Sequence, residues 1–107
     1  MAYDEHLAAR VRDLLADHPD VTERRMFGGL AFLIADSMAV AVRGDGDLMV
    51  RVDPARMSEV LAAGDARPAK MRGREVRGWV VLDSDALQER RALAHWIAIG
   101  VARAGSL

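Results

Sequence analysis

The fold of this protein is decided in residues 24–34, which read RRMFGGLAFLI. Two arginines lead directly into an apolar block, and a glycine pair stands close to where the charge ends. A short unbroken apolar run is typical of a strand that is buried on both faces or that meets a partner. Paired glycines within such a pattern mark a bulge, a tight bend or a close approach of two backbones.

Antiparallel strands are predicted on both sides of the glycine pair. The turn at 44–47, Gly-Asp-Gly-Asp, supplies the positive φ angles that hairpins require. Beyond it, residues 48–52 alternate between aliphatic side chains and the pair Met49 and Arg51, so this strand is predicted to have one buried face and one wet face. Four successive strands are predicted, at 22–27, 29–35, 38–43 and 48–52.

Helices are predicted before, between and after the strands. Residues 3–17 carry apolar side chains at helical spacing. Asp53-Pro54 provides an N-cap and a first-turn proline for a second helix, which Gly64 ends. The last helix, about 85–104, has a wide apolar face that suits the sheet and another helix of the same chain, or in part a second subunit.

The order of elements predicts an α+β fold in a single domain, residues 1–107. That order is helix, three or four antiparallel strands, helix, two strands, helix. Residues 65–77 are interpreted as irregular and charged, and Trp79-Val80-Val81-Leu82 as a strand with which a short strand near 69–72 could pair.

Composition narrows the class of protein. The chain has no cysteine, which excludes disulfides, thiolate nucleophiles and thiolate metal sites. No run approaches the ~20 apolar residues that a membrane span needs, and the acidic N-terminus lacks the apolar core of a signal peptide. The net charge of −1 creates no global attraction to nucleic acid or membranes. We therefore expect a cytoplasmic protein with no membrane contact.

No motif indicates catalysis. The glycine pair precedes a strand, whereas phosphate-binding glycine loops open a helix. No serine lies in a nucleophile elbow, and the three histidines lack the spacing of metal ligands. The sequence predicts no catalytic, cofactor-binding or metal-binding residues, no cofactor and no enzyme.

Residues 67–77 form the candidate partner surface. They contain five basic side chains and one acidic side chain, and the basic ones are Arg67, Lys70, Arg72, Arg74 and Arg77. The cluster suits a solvated or protein-contacting surface, and it could instead contact nucleic-acid phosphates as a basic loop. A third interpretation is a small-ligand pocket between the sheet and the last helix, near Arg25, Trp79 and His95.

Three segments carry a resemblance to a known family. Residues 25–32 (RMFGGLAF), residues 48–52 (LMVRV), and Gly73-Arg74 with Gly78-Trp79-Val80 resemble, in order, the N-terminal domain of the TfoX/Sxy competence regulators. The signature residues are expected to act structurally, and Met26, Phe27 and Trp79 are interpreted as core residues. The signature consists of Met26, Phe27, Gly28, Gly29, Gly78 and Trp79. The resemblance implies an α+β fold of the secretion-chaperone-like type.

The resemblance also implies a function. Regulators of this family control DNA-uptake genes and are thought to act with the cAMP receptor protein at competence promoters. The expected function is therefore a small cytoplasmic interaction module with a protein partner, a transcription regulator of the cAMP receptor type. The full-length regulators carry a second, C-terminal helical domain, so this chain is expected to be a stand-alone N-terminal domain. The sequence leaves open whether the protein forms a homodimer.

Overall fold

A six-stranded antiparallel sheet carries the helices of this chain on one face. The computed structural model describes residues 3–26 and 28–107. The strands lie in the order β1-β2-β3-β4-β6-β5, and all neighbours are antiparallel. The elements are α1 (Glu5–Leu14), β1 (Val21–Met26), β2 (Gly29–Ile34), β3 (Ser37–Val42), β4 (Leu48–Arg51), α2 (Met57–Ala62), β5 (Ala66–Met71), β6 (Arg74–Leu82) and α3 (Arg90–Gly105). The predicted α+β class and element order are confirmed.

The glycine pair makes both a turn and a close backbone approach, as its place in the sequence predicts. Gly28 lies in the turn between β1 and β2 with φ +73°. Gly29 opens β2, and a Cβ atom there would lie 2.5 Å from the carbonyl oxygen of Val42 on β3. Phe27, which belongs to the family signature, lies outside the described residues.

The main core lies between the sheet and the helices. Alternate residues of the central strands face it, including Phe32, Val40, Val50 and Val80, and each is fully buried. Helix α3 crosses β2, β3 and β4 and also contacts α1, so two surfaces of the same chain meet its wide apolar face. All six residues of β2 are buried, in agreement with the prediction for its apolar run.

The first and last helices are shorter than predicted. Asp4 caps α1, because its carboxylate accepts a hydrogen bond of 3.0 Å from the Leu7 N–H, and the helix ends in a turn after Leu14. Residues Ser84–Leu87 form a separate 3-10 turn before α3. A similar turn, Pro54–Arg56, precedes α2, and Asp53 caps it as predicted.

The possible short strand near 69–72 is present in a longer form as β5 and pairs with β6, but the prediction of irregular structure for the rest of residues 65–77 was wrong. They form a β-hairpin in which Met71 pairs with Arg74 and the turn lies at Arg72-Gly73. Strand β5 is an edge strand, where a charged sequence is tolerated and the missing N–H of Pro68 costs little. Strand β5 therefore forms because it pairs with β6, and its amino-acid composition alone does not favour a strand.

Gly100 sets how closely α3 packs on the sheet. A Cβ atom there would lie 2.5 Å from the carbonyl oxygen of Ala39 and 2.9 Å from Cγ1 of Val40. We expect Gly100→Ala to lower the free energy of unfolding by about 1–3 kcal/mol through this overpacking, although alanine favours helices by ~1 kcal/mol. Urea unfolding measures the change. The matched control is Gly105→Ala in the same helix, where a Cβ would meet no heavy atom within 4 Å. Equal stability of the two variants would contradict the close approach.

An ion pair joins α1 to edge strand β1. The Arg12 guanidinium donates two hydrogen bonds to the Glu23 carboxylate, with distances of 2.6 Å from Nε to Oε2 and 2.8 Å from Nη2 to Oε1. These bonds lower the pKa of Glu23 and raise the pKa of Arg12 from their ordinary values. Both side chains remain partly exposed, so the pair contributes little stability.

We expect Glu23→Gln to lower the free energy of unfolding by roughly 0.5 kcal/mol at pH 7 and low salt. A carboxylate whose pKa is depressed by folding stabilises the protein above its unfolded-state pKa, and this contribution is lost as the pH falls through the folded-state value. The difference between the variant and the parent should therefore vanish in acid and shrink in high salt. Urea unfolding across pH measures it. Asp17→Asn, at an exposed carboxylate outside the ion pairs of the described chain, is the control, and an equal loss there would argue against the pair.

Candidate functional site: a groove on the open face of the sheet

The sheet face opposite the helices carries a groove of about 500 Å³, here called the Met groove. It is lined by Met26, Gly29, Met38, Ala41, Arg43, Met49, Arg51, Lys70, Met71, Arg72, Val76 and Trp79. These residues come from all six strands, from the connection between β3 and β4 (Arg43) and from the turn between β5 and β6 (Arg72). Of the six methionines in the chain, four line this one surface.

Small residues form the floor of the Met groove. Strand register places Ala31 beside Ala41 and Ala41 beside Met49. Ala31 has no exposed surface although none of the described helices covers this face, because it clusters with Leu33 and the longer side chains of the neighbouring strands. Short side chains at the centre and methionines around them therefore create the depression.

Basic side chains surround the apolar floor. The lining includes Arg43, Arg51, Lys70 and Arg72, and the described lining residues include no carboxylate. Arg43 is partly neutralised by Asp47, whose Oδ1 lies 3.4 Å from the Arg43 Nε. The Met groove thus combines apolar contact area with positive charge.

Arg51 is a partly buried cation that neutral groups hold in place. Its Nη1 donates a hydrogen bond of 3.2 Å to the carbonyl oxygen of Met38. Its guanidinium lies 5.0 Å from the centre of the Trp79 ring, a cation–π contact. Burial lowers the pKa of Arg51 from its ordinary value, and repulsion from Arg103 adds to the effect. No carboxylate within the described chain lies within 4.0 Å of it.

The two residues of the signature pair Gly78-Trp79 have different roles: the glycine has a structural role, and the tryptophan lines the Met groove. Gly78 adopts φ +90°, and a Cβ there would lie 3.4 Å from Cγ of Pro54. The next residue, Trp79, pairs with Arg51 of β4 and lines the Met groove. Trp79 is therefore half-buried on the open face, and the expectation that it belongs to the core was wrong. The reason is its alternation with Val80, which occupies the helix-facing side.

The structure divides the five basic residues predicted as a partner surface. Lys70 and Arg72 line the Met groove. Arg67 instead places its Nη2 2.8 Å from Oδ1 of Asp83 and 3.8 Å from Oδ2 of Asp47, which is only 3% exposed. Arg74 and Arg77 are exposed on β6, outside the groove lining. They belong to a hairpin, so the basic loop of the nucleic-acid interpretation is not present as a loop.

The predicted pocket near Arg25, Trp79 and His95 is not formed. Arg25 lies over the ring of Tyr3, with 5.9 Å between the guanidinium carbon and the ring centre. His95 is on α3 with its ring against Trp96, whereas Trp79 is on the sheet face opposite the helices. The sheet itself separates the last two side chains.

Most of the residues that line the Met groove were not predicted from the sequence. The sequence patterns did not identify Met38, Met49, Met71, Arg43 or Arg51 as site residues. One signal was available, because Met49 and Arg51 alternate on the predicted wet face of the fourth strand. Their neighbours on that face depend on strand order, which the local pattern does not specify.

The sequence model of the TfoX N-terminal domain matches residues 13–104. The chain belongs to the TfoX N-terminal domain family. The matched residues begin within α1 and end within α3, so they include the whole sheet and every residue of the Met groove. The TfoX N-terminal domain is not a known enzyme family. No curated protein matches this sequence.

The described residues contain neither a candidate membrane-spanning helix nor a candidate metal-binding cluster. Among residues 3–26 and 28–107, no helix combines the length and apolar character needed to cross a bilayer. The same residues contain no group of three or more His, Asp or Glu side chains placed to hold a metal ion.

The Met groove should bind an anionic apolar dye. We expect anilinonaphthalene sulfonate to bind saturably with increased fluorescence, because its rings suit the small apolar floor and the methionines around it, and its sulfonate suits the basic side chains. Met49→Glu should reduce the dye affinity about tenfold or more, because a carboxylate at this position removes apolar contact and repels the sulfonate. Fluorescence titration measures both proteins. Ala98→Glu, at an exposed position of α3, is the control; equal losses in the two variants would show that the dye binds elsewhere.

Proposed function

We propose that this TfoX N-terminal domain is a small cytoplasmic, non-enzymatic interaction module that binds a protein partner through the Met groove. The proposal rests chiefly on one observation: an apolar depression with basic side chains around it occupies the sheet face that the helices leave uncovered. Exposed apolar patches with a polar rim are typical of protein-binding sites.

The side chains of the Met groove suit binding. Thioether and indole groups supply contact area, and methionine adapts its shape to different partners. Tryptophan and arginine are the residue types most enriched at energetically important positions of interfaces. Trp79 and Arg51 are in contact within this lining, where β4 pairs with β6. Guanidinium, thioether and indole groups bind ligands without exchanging protons at neutral pH.

The family suggests the kind of partner. Because members of this family act in competence regulation, we propose a transcription regulator of the cAMP receptor type. A role as a transcription co-regulator requires only that the domain hold this protein, and a surface such as the Met groove can supply that contact.

Direct nucleic-acid binding is less well supported by the geometry. Of the basic residues in 67–77, Arg67 is bonded to Asp83, and only Lys70 and Arg72 lie in the groove. Trp79 is the one aromatic side chain among the described lining residues, whereas single-stranded nucleic acids bind on several stacking side chains. Nucleic acid is therefore an outcome of the test below.

Site-specific photo-crosslinking tests the proposal. Benzoylphenylalanine replaces Met71, which is 46% exposed at the edge of the groove, and the full chain is irradiated with a purified cAMP-receptor-type regulator from the same cells. We expect a crosslinked complex that Met49→Glu abolishes. The control places the same probe at Ala98 on α3, where no crosslink should form.

Crosslinking in the native cell lysate, with and without nuclease, extends this test to other partners. A protein crosslinked only from position 71 and unaffected by nuclease would support the groove and identify its partner. Products that disappear with nuclease would favour nucleic acid, and equal crosslinking from positions 71 and 98 would overturn the proposed surface.

A further inference from the structure

We infer that the occupant of the Met groove is an acidic amphipathic helix of the partner protein, lying across the strands. This inference rests on the proposed function and specifies the chemistry of the partner segment. Three features carry it: the direction of the groove, the hydrogen bonds of its floor, and its charge.

The direction of the groove sets the length of the ligand. Its lining runs from Met26 on β1 to Met71 at the end of β5, the first and last strands of the sheet. Neighbouring strands lie ~4.8 Å apart, so crossing six strands spans roughly 24 Å. A helix rises 1.5 Å per residue, so about 16 residues, or four to five turns, would fill this length.

The hydrogen bonding of the floor selects a helix over an extended peptide. The groove lies on the face of the sheet, and the backbone groups of its central strands are already paired with neighbouring strands. An extended peptide binds well where a free strand edge can accept its backbone bonds. On this face a ligand must satisfy its own backbone, which a helix does internally.

The charge of the groove selects acidic side chains. Lys70 and Arg72 form none of the ion pairs found within the described residues, and the contacts of Arg51 among these residues are with a carbonyl oxygen and an indole ring. Carboxylates beside an apolar stripe would meet these cations while leucine-like side chains meet the methionines. The groove therefore complements a helix with one apolar face flanked by Asp or Glu.

A second copy of this chain does not supply such a helix. The apolar faces of α1 and α3 are buried in their own core, at Leu7, Val11, Leu93 and Trp96 among others. Helix α2 has only six residues. Docking any of these helices in the groove of another copy would require the donor chain to unfold locally.

Methionine-methyl NMR of the full chain tests the inference. The groove contains four methionines, and Met57 on α2 is an internal control because it lies outside the lining and its sulfur accepts the Gly78 N–H at 3.4 Å. The probe is a designed peptide of about 18 residues with leucine at positions i, i+3, i+4 and i+7 and glutamate on the flanks. We expect saturable shifts at Met26, Met38, Met49 and Met71, with Met57 unchanged.

Two further peptides and one oligonucleotide separate the alternatives. One peptide replaces each glutamate with lysine, and the other keeps the composition but shuffles the leucines out of helical spacing; the oligonucleotide is single-stranded oligothymidine. The acidic helix should bind at least about tenfold more tightly than any of these, since like charges repel the lysine peptide and the shuffled peptide has no apolar stripe. Its affinity should fall as salt is raised.

Paired variants of one hairpin isolate the charge effect. Lys70→Gln with Arg72→Gln removes two groove cations and should weaken the acidic peptide about tenfold. Arg74→Gln with Arg77→Gln removes the same charge from exposed positions outside the lining and should leave the affinity within about twofold. Unchanged Met57 signals report that each variant is folded.

The inference is overturned if no peptide shifts the groove methyls at about 1 mM, if the lysine or shuffled peptide binds as tightly, or if oligothymidine binds more tightly at the same methyls. It is also overturned if both paired variants lose affinity equally. Its failure is distinguishable from failure of the proposed function. A protein crosslinked from position 71 without acidic-helix binding would leave the groove as an interface for a different occupant, whereas loss of both results would overturn both proposals.

Discussion

Strand β2 and helix α3 both pack very closely against the backbone of β3, and the positions of the other elements depend on this packing. Gly29 brings β2 against the carbonyl of Val42, and Gly100 brings α3 against the carbonyl of Ala39. A side chain at either glycine would place Cβ 2.5 Å from the oxygen it meets. Because protein interiors are packed at near-crystalline density, such contacts leave little room for adjustment. The helix layer and the β1–β2 hairpin are therefore positioned from the same central strand.

The described helices all lie on one face of the sheet, so the opposite face is covered by its own side chains alone. The helix-facing residues of the central strands bury large aliphatic and aromatic side chains, whereas Ala31 and Ala41 face the open side. Alanine side chains are too short to fill the surface of this face. Met26, Met38 and Met49 pack around them, which leaves a depression above the alanines. The apolar floor of the Met groove is thus a product of how this sheet is covered.

The family signature residues contribute both to the fold and to the lining of the Met groove. Met26 and Gly29 shape the end of the β1–β2 hairpin and also line the Met groove. Gly78 lets β6 pass close to Pro54, and Trp79 then meets Arg51 on the open face. Residues that the sequence marks as structural therefore also contribute to the surface on which the proposed function depends.

The sequence by itself determined the α+β class, the succession of strands around the glycine pair, the burial of residues 29–34 and the caps at Asp53 and Gly64. These features depend on local periodicity and on residues with restricted backbone preferences, both of which can be read within a few positions. It also placed Met49 and Arg51 on the non-core face of their strand. It did not place them in a site, because a period of two identifies a face and not its neighbours.

Only the tertiary structure decided that β4 pairs with β6, which brings Arg51 to Trp79 and joins the methionines into one groove. It also extended the possible short strand near 69–72 to Ala66–Met71, since hydrogen bonding to β6 outweighed the charged composition of this segment. The physical reason is the same in both cases. Pairing between strands distant in the chain depends on backbone hydrogen bonds and shared burial, and neither leaves a periodic signal in the local sequence.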